Sequence, residues 1–419
     1  MQAATVVGVS KSFQRIVFVL SVAIFAALGL GFVLGEFGWF GVHAGGEQDG
    51  AYKQMGVYAA VLKKIQTDYV TEPNMGDVTT GALHGLLESL DSNSSYMSAD
   101  AYKAFKAHKI EAKAGIGAVV SKRFGYAAVV SVLPGSPADK AGIEPTDIFE
   151  SIENQSTREM SLPEIRNLLA GTPGSTLNVA VVRARKAEPQ KVVITREIVS
   201  VPPTSDKLMQ DSIGYVKAEA LTKGKSQEIS GKIKTLEKNG AKKILLDLRN
   251  CAEGDESEGV AVANLFLNHG TITYLQGQKF PREAFNADPA KAITALPVAV
   301  LVNKGTAGAA EIVAAAILEN ARGDIVGDKT FGDGSVQKTI DLPDGGALIL
   351  SVAKYYSPSG KVIQDVAVTP NVVVADVDDA AAGPDDEEQP STPDQEAPPK
   401  NTVDDQLNKA VEVLKSHTS

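Results

Sequence analysis

The strongest feature of the hydrophobic pattern lies near the start of the chain. IVFVLSVAIFAALGLGFVLG, Ile16–Gly35, carries no charge, and Lys11 and Arg15 precede it. About 20 apolar residues suffice to cross a bilayer as a helix. No further Lys or Arg appears before Lys53, so the charge bias keeps the amino terminus cytoplasmic and exports the rest. Residues 1–44 therefore read as a single membrane anchor. A cleaved signal segment, with Val42–Ala44 as the processing site, is the alternative.

Downstream the period changes repeatedly. Residues 45–110 carry helical spacing: Met55, Tyr58, Val61, Leu62 and Ile65 share one face within Tyr52–Tyr69, and VTTGALHGLLESL forms a second helix before the polar turn SNSSY. This unit reads as a helical arm that packs on something larger. Residues 111–203 are β-rich. GIGAVV and YAAVVSVL lead to the turn PGSPADKAGI, where Pro137 helps to start a short helix. PTDIFESIEN is strand then turn, SLPEIRNLL is a helix with the Ser161/Glu164 capping-box spacing, and GTPGSTLNVAVVRA closes with an alternating strand. From Asp211 strands and helices alternate. IGYVKAE leads to SQEISGKIKTLEKNG, and KKILLDLRN and PVAVLVN are near-continuous apolar runs of the kind buried on both faces of a sheet. One wound α/β domain over residues 204–374 follows. Residues 375–401 are rich in Asp, Glu and Pro and form a solvated linker. Residues 402–419 form an amphipathic helix, with Val403, Leu407, Ala410, Val411 and Leu414 aligned, that docks back or meets a partner.

Composition narrows the function classes. The 419 residues are 43% hydrophobic and 22% charged, with net charge −10, which argues against nucleic acid as a main partner. A single cysteine, Cys251, excludes an internal disulfide and a cysteine-based zinc site. The five histidines, His43, His84, His108, His269 and His417, show no ligand spacing, and no metal or cofactor is expected.

Five motifs occur in order: LESLDSNSSYMSADAYKAF, GSPADKAGI, LLDLRN, VGDKTFGDGSVQ and VAKYYSPSGKVIQDVAVTPNVVV. Together they resemble the carboxyl-terminal processing proteases, the tail-specific peptidases with an inserted PDZ domain, from Tyr52 to Val374 and again in the final helix. The resemblance implies an α/β core of the tail-specific serine peptidase type, an inserted PDZ-like β-rich domain, a helical N-terminal arm and the N-terminal membrane helix. A glycine-containing loop before an edge strand offers backbone N–H groups to a terminal carboxylate while the peptide adds as a further strand. Gly115, Ile116, Gly117 and Ala118 are the residues assigned to that role.

Family members use a serine with a neutral lysine as general base. Aligned on the turn S-A-S-A-S-E-I, this chain reads Thr306-Ala307-Gly308-Ala309-Ala310-Glu311-Ile312, so the nucleophile position is Gly308. The lysine turn F-G-K-G-[ST]-V-Q reads Phe331-Gly332-Asp333-Gly334-Ser335-Val336-Gln337, which puts Asp333, 25 positions later, in place of the lysine. Gln337, which orients that lysine in the family, is kept. The family's D-L-R-N-N-P-G-G loop, which helps to build the oxyanion hole, reads Asp247-Leu248-Arg249-Asn250-Cys251-Ala252-Glu253-Gly254. Gly254 and Ala309 are the oxyanion positions, and Glu253, Asp255 and Glu256 add charge that opposes a developing oxyanion.

These departures imply a membrane-anchored, extracytoplasmic protein that captures C-terminal peptides or unfolded tails without cutting them, alone, self-associated or beside active relatives. The alternative is an active endopeptidase with a relocated dyad, drawn from Thr306 or Ser335 with Lys304, Lys329 or Lys338. Cys251 reads as buried packing and His269 as a helix C-terminal cap.

Overall fold

A computed structural model describes residues 48–107, 114–123, 125–183, 186–375 and 403–416. The run Ile16–Gly35 and most of the acidic linker lie outside them. Among the described residues no helix is long and apolar enough to cross a membrane. The described chain falls into two units, divided after Val78.

The first unit is dominated by α1 (Gln48–Asp68). Its aligned side chains Met55, Tyr58 and Val61 are exposed. After α2 (Met75–Glu88), the segment read as a polar turn becomes a strand, β1 (Ser95–Met97), followed by α3 (Ala99–Ala107). β1 pairs antiparallel with a strand some 250 residues later, Ser95 opposite Ile349. β1 thus belongs to the core sheet, and the arm's expected C-terminal boundary at 110 lies outside the described residues.

The β-rich block contains β2 (Ala118–Arg123), β3 (Tyr126–Val132), α4 (Pro137–Lys140), β4 (Ile148–Ile152), β5 (Gln155–Ser156), α5 (Leu162–Leu169), β6 (Thr176–Arg183) and β7 (Lys186–Thr195). The sheet order is β2-β3-β4-β6-β7, with β5 on β4. Both ends of that order are edges. Pro189 fits β7 for that reason, since proline cannot donate to a ladder. At α5 the capping box forms in full: Ser161 Oγ accepts from Glu164 N–H, and the Glu164 carboxylate accepts from Ser161 N–H. Phe149, Ile152, Ile165, Leu177 and Val181 fill the core beneath the helix.

The larger domain continues with β8 (Ser205–Leu208), β9 (Ile213–Lys217), β10 (Ala220–Leu221), α6 (Lys225–Lys238), β11 (Lys243–Asp247), β12 (Glu253–Gly254), α7 (Glu256–Phe266), β13 (Thr271–Gln276), β14 (Glu283–Asn286), β15 (Val298–Val302), α8 (Ala309–Glu319), β16 (Gly323–Gly327), β17 (Ser335–Asp341), β18 (Ala347–Tyr356), β19 (Val372–Val373) and α9 (Asp405–Ser416). A single wound sheet is not what forms. The apolar runs build one sheet, β19-β16-β15-β11-β9-β8, parallel except for β8. The amphipathic hairpins build a second, antiparallel sheet, β1-β18-β13-β14, with β17 also on β18. The difference follows from connection length: short hairpin turns such as Leu342–Gly346 cannot reach a parallel neighbour.

Every residue of β15 is buried, as a central parallel strand requires. α8 is buried all round except near its end, which suits a core helix. On the opposite face of the parallel sheet, Ala410 and Leu414 of α9 meet Ile213, Leu245, Ala299 and Leu301. The final helix thus docks back onto its own chain. Arg249 secures the start of α9 by pairing with both Asp247 and Asp404.

Candidate functional site

The turn between β15 and α8 is built before any reactive group is considered. Asn303 Oδ1 accepts from the Asn250 and Gly305 N–H groups at 2.9 and 3.0 Å. Thr306 is fully buried; its hydroxyl donates to Leu248 C=O at 2.8 Å and accepts from Asn303 N–H at 3.0 Å. It is a brace inside the turn, not an exposed nucleophile. Gly308 then caps α8 at φ 58°, ψ −118°, a backbone state that favours glycine. A Cβ built there would meet no atom within 4 Å. This is the sharp strand-to-helix geometry of a nucleophile elbow, with open space where a side chain would point. Gly259 of α7 packs so closely on Ala309 C=O that any side chain there would collide.

Glu311 joins this turn to the second one. Its fully buried carboxylate accepts from Gly308 N–H at 3.0 Å, Asp333 N–H at 2.8 Å, Gly332 N–H at 2.8 Å and the Thr330 hydroxyl. Burial pushes its carboxyl up to about 8, against the pull of the bonds from Thr330, Asp333 and Gly308. Sequence reasoning assigned Glu311 no role. The available signal was a lone carboxylate in the otherwise apolar stretch AAEIVAAAI, since a buried charge persists only where donors satisfy it.

Asp333 is half-buried beside this knot. Burial raises its carboxyl, the Arg166 guanidinium of α5 lowers it, and Asp365 raises it again. Burial also raises Glu256, and the Asp333 and Asp255 charges add to the shift. Glu253 is raised by burial and by Asp255. The Asp255 charge thus acts on Glu253 and Glu256, and Asp333 acts on Glu256, which couples the 253–256 segment electrostatically to the turn at 333. Gly254 lies in β12 paired with Leu221, and a side chain there would press on Leu221 C=O at 2.8 Å. Ala309 opens α8, where a backbone N–H has no partner within the helix.

The remaining sequence candidates separate from this cluster. Gln337 is exposed, and its amide donates to Ser335 Oγ at 2.7 Å, which also accepts from Asn93 Nδ2 at 2.9 Å. Lys304 lies 3.8 Å from Asp328. Burial pushes the Cys251 thiol up, so it is packing. α7 ends at Phe266, and His269 pairs with the Asn268 side chain, so the expected helix cap is not what it forms.

In the smaller domain the four assigned residues divide. Gly115 is unavailable, because its N–H donates to Glu197 C=O at 2.9 Å. The N–H groups of Ile116 and Gly117 have no partner among the described residues. Gly117 has φ 75°, and a side chain there would overlap Ser136. Consecutive outward N–H groups beside a left-handed glycine make an anion nest. It opens onto β2, which Ala118 begins and whose outer edge pairs with no strand among the described residues. Arg166 reaches over that edge to Val120 C=O at 3.4 Å. Its charge therefore acts on both the groove and Asp333.

Comparison with known proteins agrees with this division. Residues 212–374 match the model for peptidase family S41, and residues 129–183 match a PDZ domain. A carboxy-terminal-processing protease of Bartonella bacilliformis is 32% identical over 332 residues, 78% of this chain and 76% of that protein. A carboxy-terminal processing protease of Bacillus subtilis is 32% identical over 312 residues, 74% of this chain and 66% of its own length. For the chloroplastic carboxyl-terminal-processing peptidase 2 of Arabidopsis thaliana, 35% identical, the chain spans only 48% of the relative. The solved photosystem II D1 C-terminal processing protease superposes with TM-score 0.62 at 24% identity, covering 76% of this chain and 92% of that one.

Proposed function

We propose, given that the chain belongs to the carboxy-terminal processing proteases of peptidase family S41, that it captures protein C-termini in its PDZ domain without cutting them. The observation that carries this reading is the pairing of a side-chain-free elbow at Gly308 with an acid, Asp333, whose backbone N–H shares the Glu311 carboxylate with that of Gly308. A Ser–Lys mechanism needs a hydroxyl at the elbow and a neutral amine beside it. Here the elbow offers a hydrogen atom, and the group at the lysine position is an acid. The acids at 253, 255 and 256 further oppose negative charge at the position where an oxyanion forms.

Capture rests on separate groups. A tail adds to the open edge of β2 as an extra strand, and its carboxylate takes the Ile116 and Gly117 N–H groups. Ile16–Gly35 anchors the chain in the membrane and leaves these domains on the exported face. Captured tails are then held for an active relative or kept from it. A relocated dyad has little to draw on, because the Thr306 hydroxyl is consumed within its turn.

The test uses full-length protein in detergent with an unfolded substrate bearing a free C-terminus. The expected result is saturable binding and no new amino termini by mass spectrometry. Cleavage that disappears in Thr306→Ala or Lys329→Ala overturns the non-catalytic part of the proposal. Absence of binding overturns the capture part.

A further inference from the structure

A cavity of about 240 Å3 lies at the far end of β2 from the carboxylate nest. Lys122, Arg158 and Met160 wall one side; His84, Glu88 and the Asp91–Ser95 turn wall the other. Three of its polar side chains, Lys122, Asp91 and Ser94, are already used. Lys122 Nζ donates to the Thr157, Arg158 and Met160 carbonyls at 3.2, 3.1 and 2.7 Å, which occupies its three protons. Asp91 accepts from the Asn93 and Ser94 N–H groups and from the Ser94 and Ser351 hydroxyls.

Two groups remain. Ser95 Oγ is buried, with the residue 8% exposed, and has no hydrogen-bond partner. The Glu88 carboxylate makes no hydrogen bond or ion pair among the described residues. An unmet buried hydroxyl is costly and is relieved by a guest that bonds to it. The charge of that guest follows from the surroundings. Glu88, Glu159 and Glu164 all act on His84, against Lys122 alone. Burial and the Lys122 charge hold His84 below its ordinary value, so it adds no cation at neutral pH. Arg158 is a second cation, engaged over the Tyr126 ring at 5.9 Å.

The nest fixes which part of a tail arrives here. With its carboxylate at Ile116 and Gly117, a tail must run antiparallel to β2. Each residue then advances by about 3.4 Å, in step with the strand. Four positions separate Ala118 from Lys122, so the fourth or fifth residue from the end comes alongside the cavity.

We propose that this cavity is a specificity pocket for a basic side chain, lysine or arginine, at the fourth or fifth residue from the C-terminus of a captured tail. The stem lies along Met160, and the cationic head meets the Glu88 carboxylate and the Ser95 hydroxyl. The inference rests on the capture reading above and adds the class of tail.

The experiment measures fluorescence anisotropy of labelled ten-residue peptides with free carboxylates on the full-length protein in detergent. Lys, Gln or Glu is placed at the fourth or at the fifth residue from the end. The expected result is roughly three- to fivefold tighter binding of Lys than Gln at one of these positions, with Glu weakest, as for a partly exposed ion pair. The preference shrinks in high salt and vanishes in Glu88→Gln. Equal affinity for Lys and Gln at both positions overturns the pocket while leaving capture intact. A Lys preference that survives Glu88→Gln also overturns it. Failure of every peptide to bind overturns pocket and capture together.

Discussion

The turn at Gly308 and the loop at Gly117 both carry a glycine at positive φ, yet they spend their hydrogen-bonding groups in opposite ways. At the first, the polar groups turn inward. Glu311 takes Gly308, Gly332 and Asp333 N–H groups and the Thr330 hydroxyl, while Asn303 and Thr306 close the loop behind them. At the second, two neighbouring N–H groups are left over. A turn whose capacity is consumed internally is held in place by its own bonds. A loop with surplus donors awaits a ligand, because unmet backbone groups are otherwise rare.

The largest effect expected from this contrast is on stability at the first turn. Glu311→Ala removes both accepting oxygens from the Gly308, Gly332 and Asp333 N–H groups. Stranding buried donors in this way is expected to lower unfolding free energy by about 2–4 kcal/mol, read by urea denaturation. The native protein should also show a pH slope there. The Glu311 carboxyl is raised from 4.5 to about 8 in the folded state. The folded protein then holds more protons than the unfolded chain between those values. Stability is fully present below about 4.5 and declines as pH rises through about 8. Glu311→Ala should lose that decline. A variant as stable as the native protein, with an unchanged slope, would sink the knot as the reason the turn persists.

At the second loop the sharpest probe is the ligand. Amidating the tail removes the charge that the Ile116 and Gly117 N–H groups receive. Charge-assisted bonds are about twice as strong as neutral ones, so affinity should fall about thirtyfold to a hundredfold. Titration calorimetry with matched free-acid and amide peptides decides it. Equal binding would mean that the donors are not the carboxylate site.

A smaller effect separates the glycines. Gly308→Ala meets no neighbouring atom and bears only the strain of its backbone state, about 1–3 kcal/mol. It should leave tail binding unchanged. Gly117→Ala should weaken capture, because its side chain overlaps Ser136 as well. If both variants bind tails normally, the loop does not depend on that close approach.

Much of this contrast was legible in the residues. GSPADKAGI and the run GTAGAAEIVAAAI fixed the two loops, and VAVLV announced a strand buried on both faces. The role of Glu311 was not legible, because a carboxylate in a helix reads as a first-turn charge until the distant 330–333 turn is seen donating to it. Nor was the loss of Gly115, whose N–H is taken by Glu197, some 80 residues away. The second sheet escaped for a similar reason: Ser95–Met97 is too short to declare a strand without Ala347–Ile349 opposite it. Periodicity reports local geometry, while these features are set by long-range partners.

The smallest change expected comes from the substitution that looks most consequential. Gly308→Ser with Asp333→Lys returns a hydroxyl to open space and an amine to the second turn. The hydroxyl tolerates the site, since nothing lies within 4 Å of the new Cβ. The amine does not gain what it needs. A catalytic lysine must be neutral, but Glu256 acts electrostatically on position 333, and Asp365 does the same. Neighbouring acids favour the ammonium form and hold its pKa up. Arg166 opposes them with a single charge. Glu253 and Asp255 still flank Gly254 in the loop aligned with the oxyanion hole. The double variant should therefore show turnover indistinguishable from the native protein in a labelled unfolded-substrate assay. Adding Glu253→Gly and Glu256→Gln should begin to reveal activity, with a pH optimum that falls as acids are removed. Vigorous cleavage by the double variant alone would show that the carboxylates do not silence the site, and that two side chains are all it lacks.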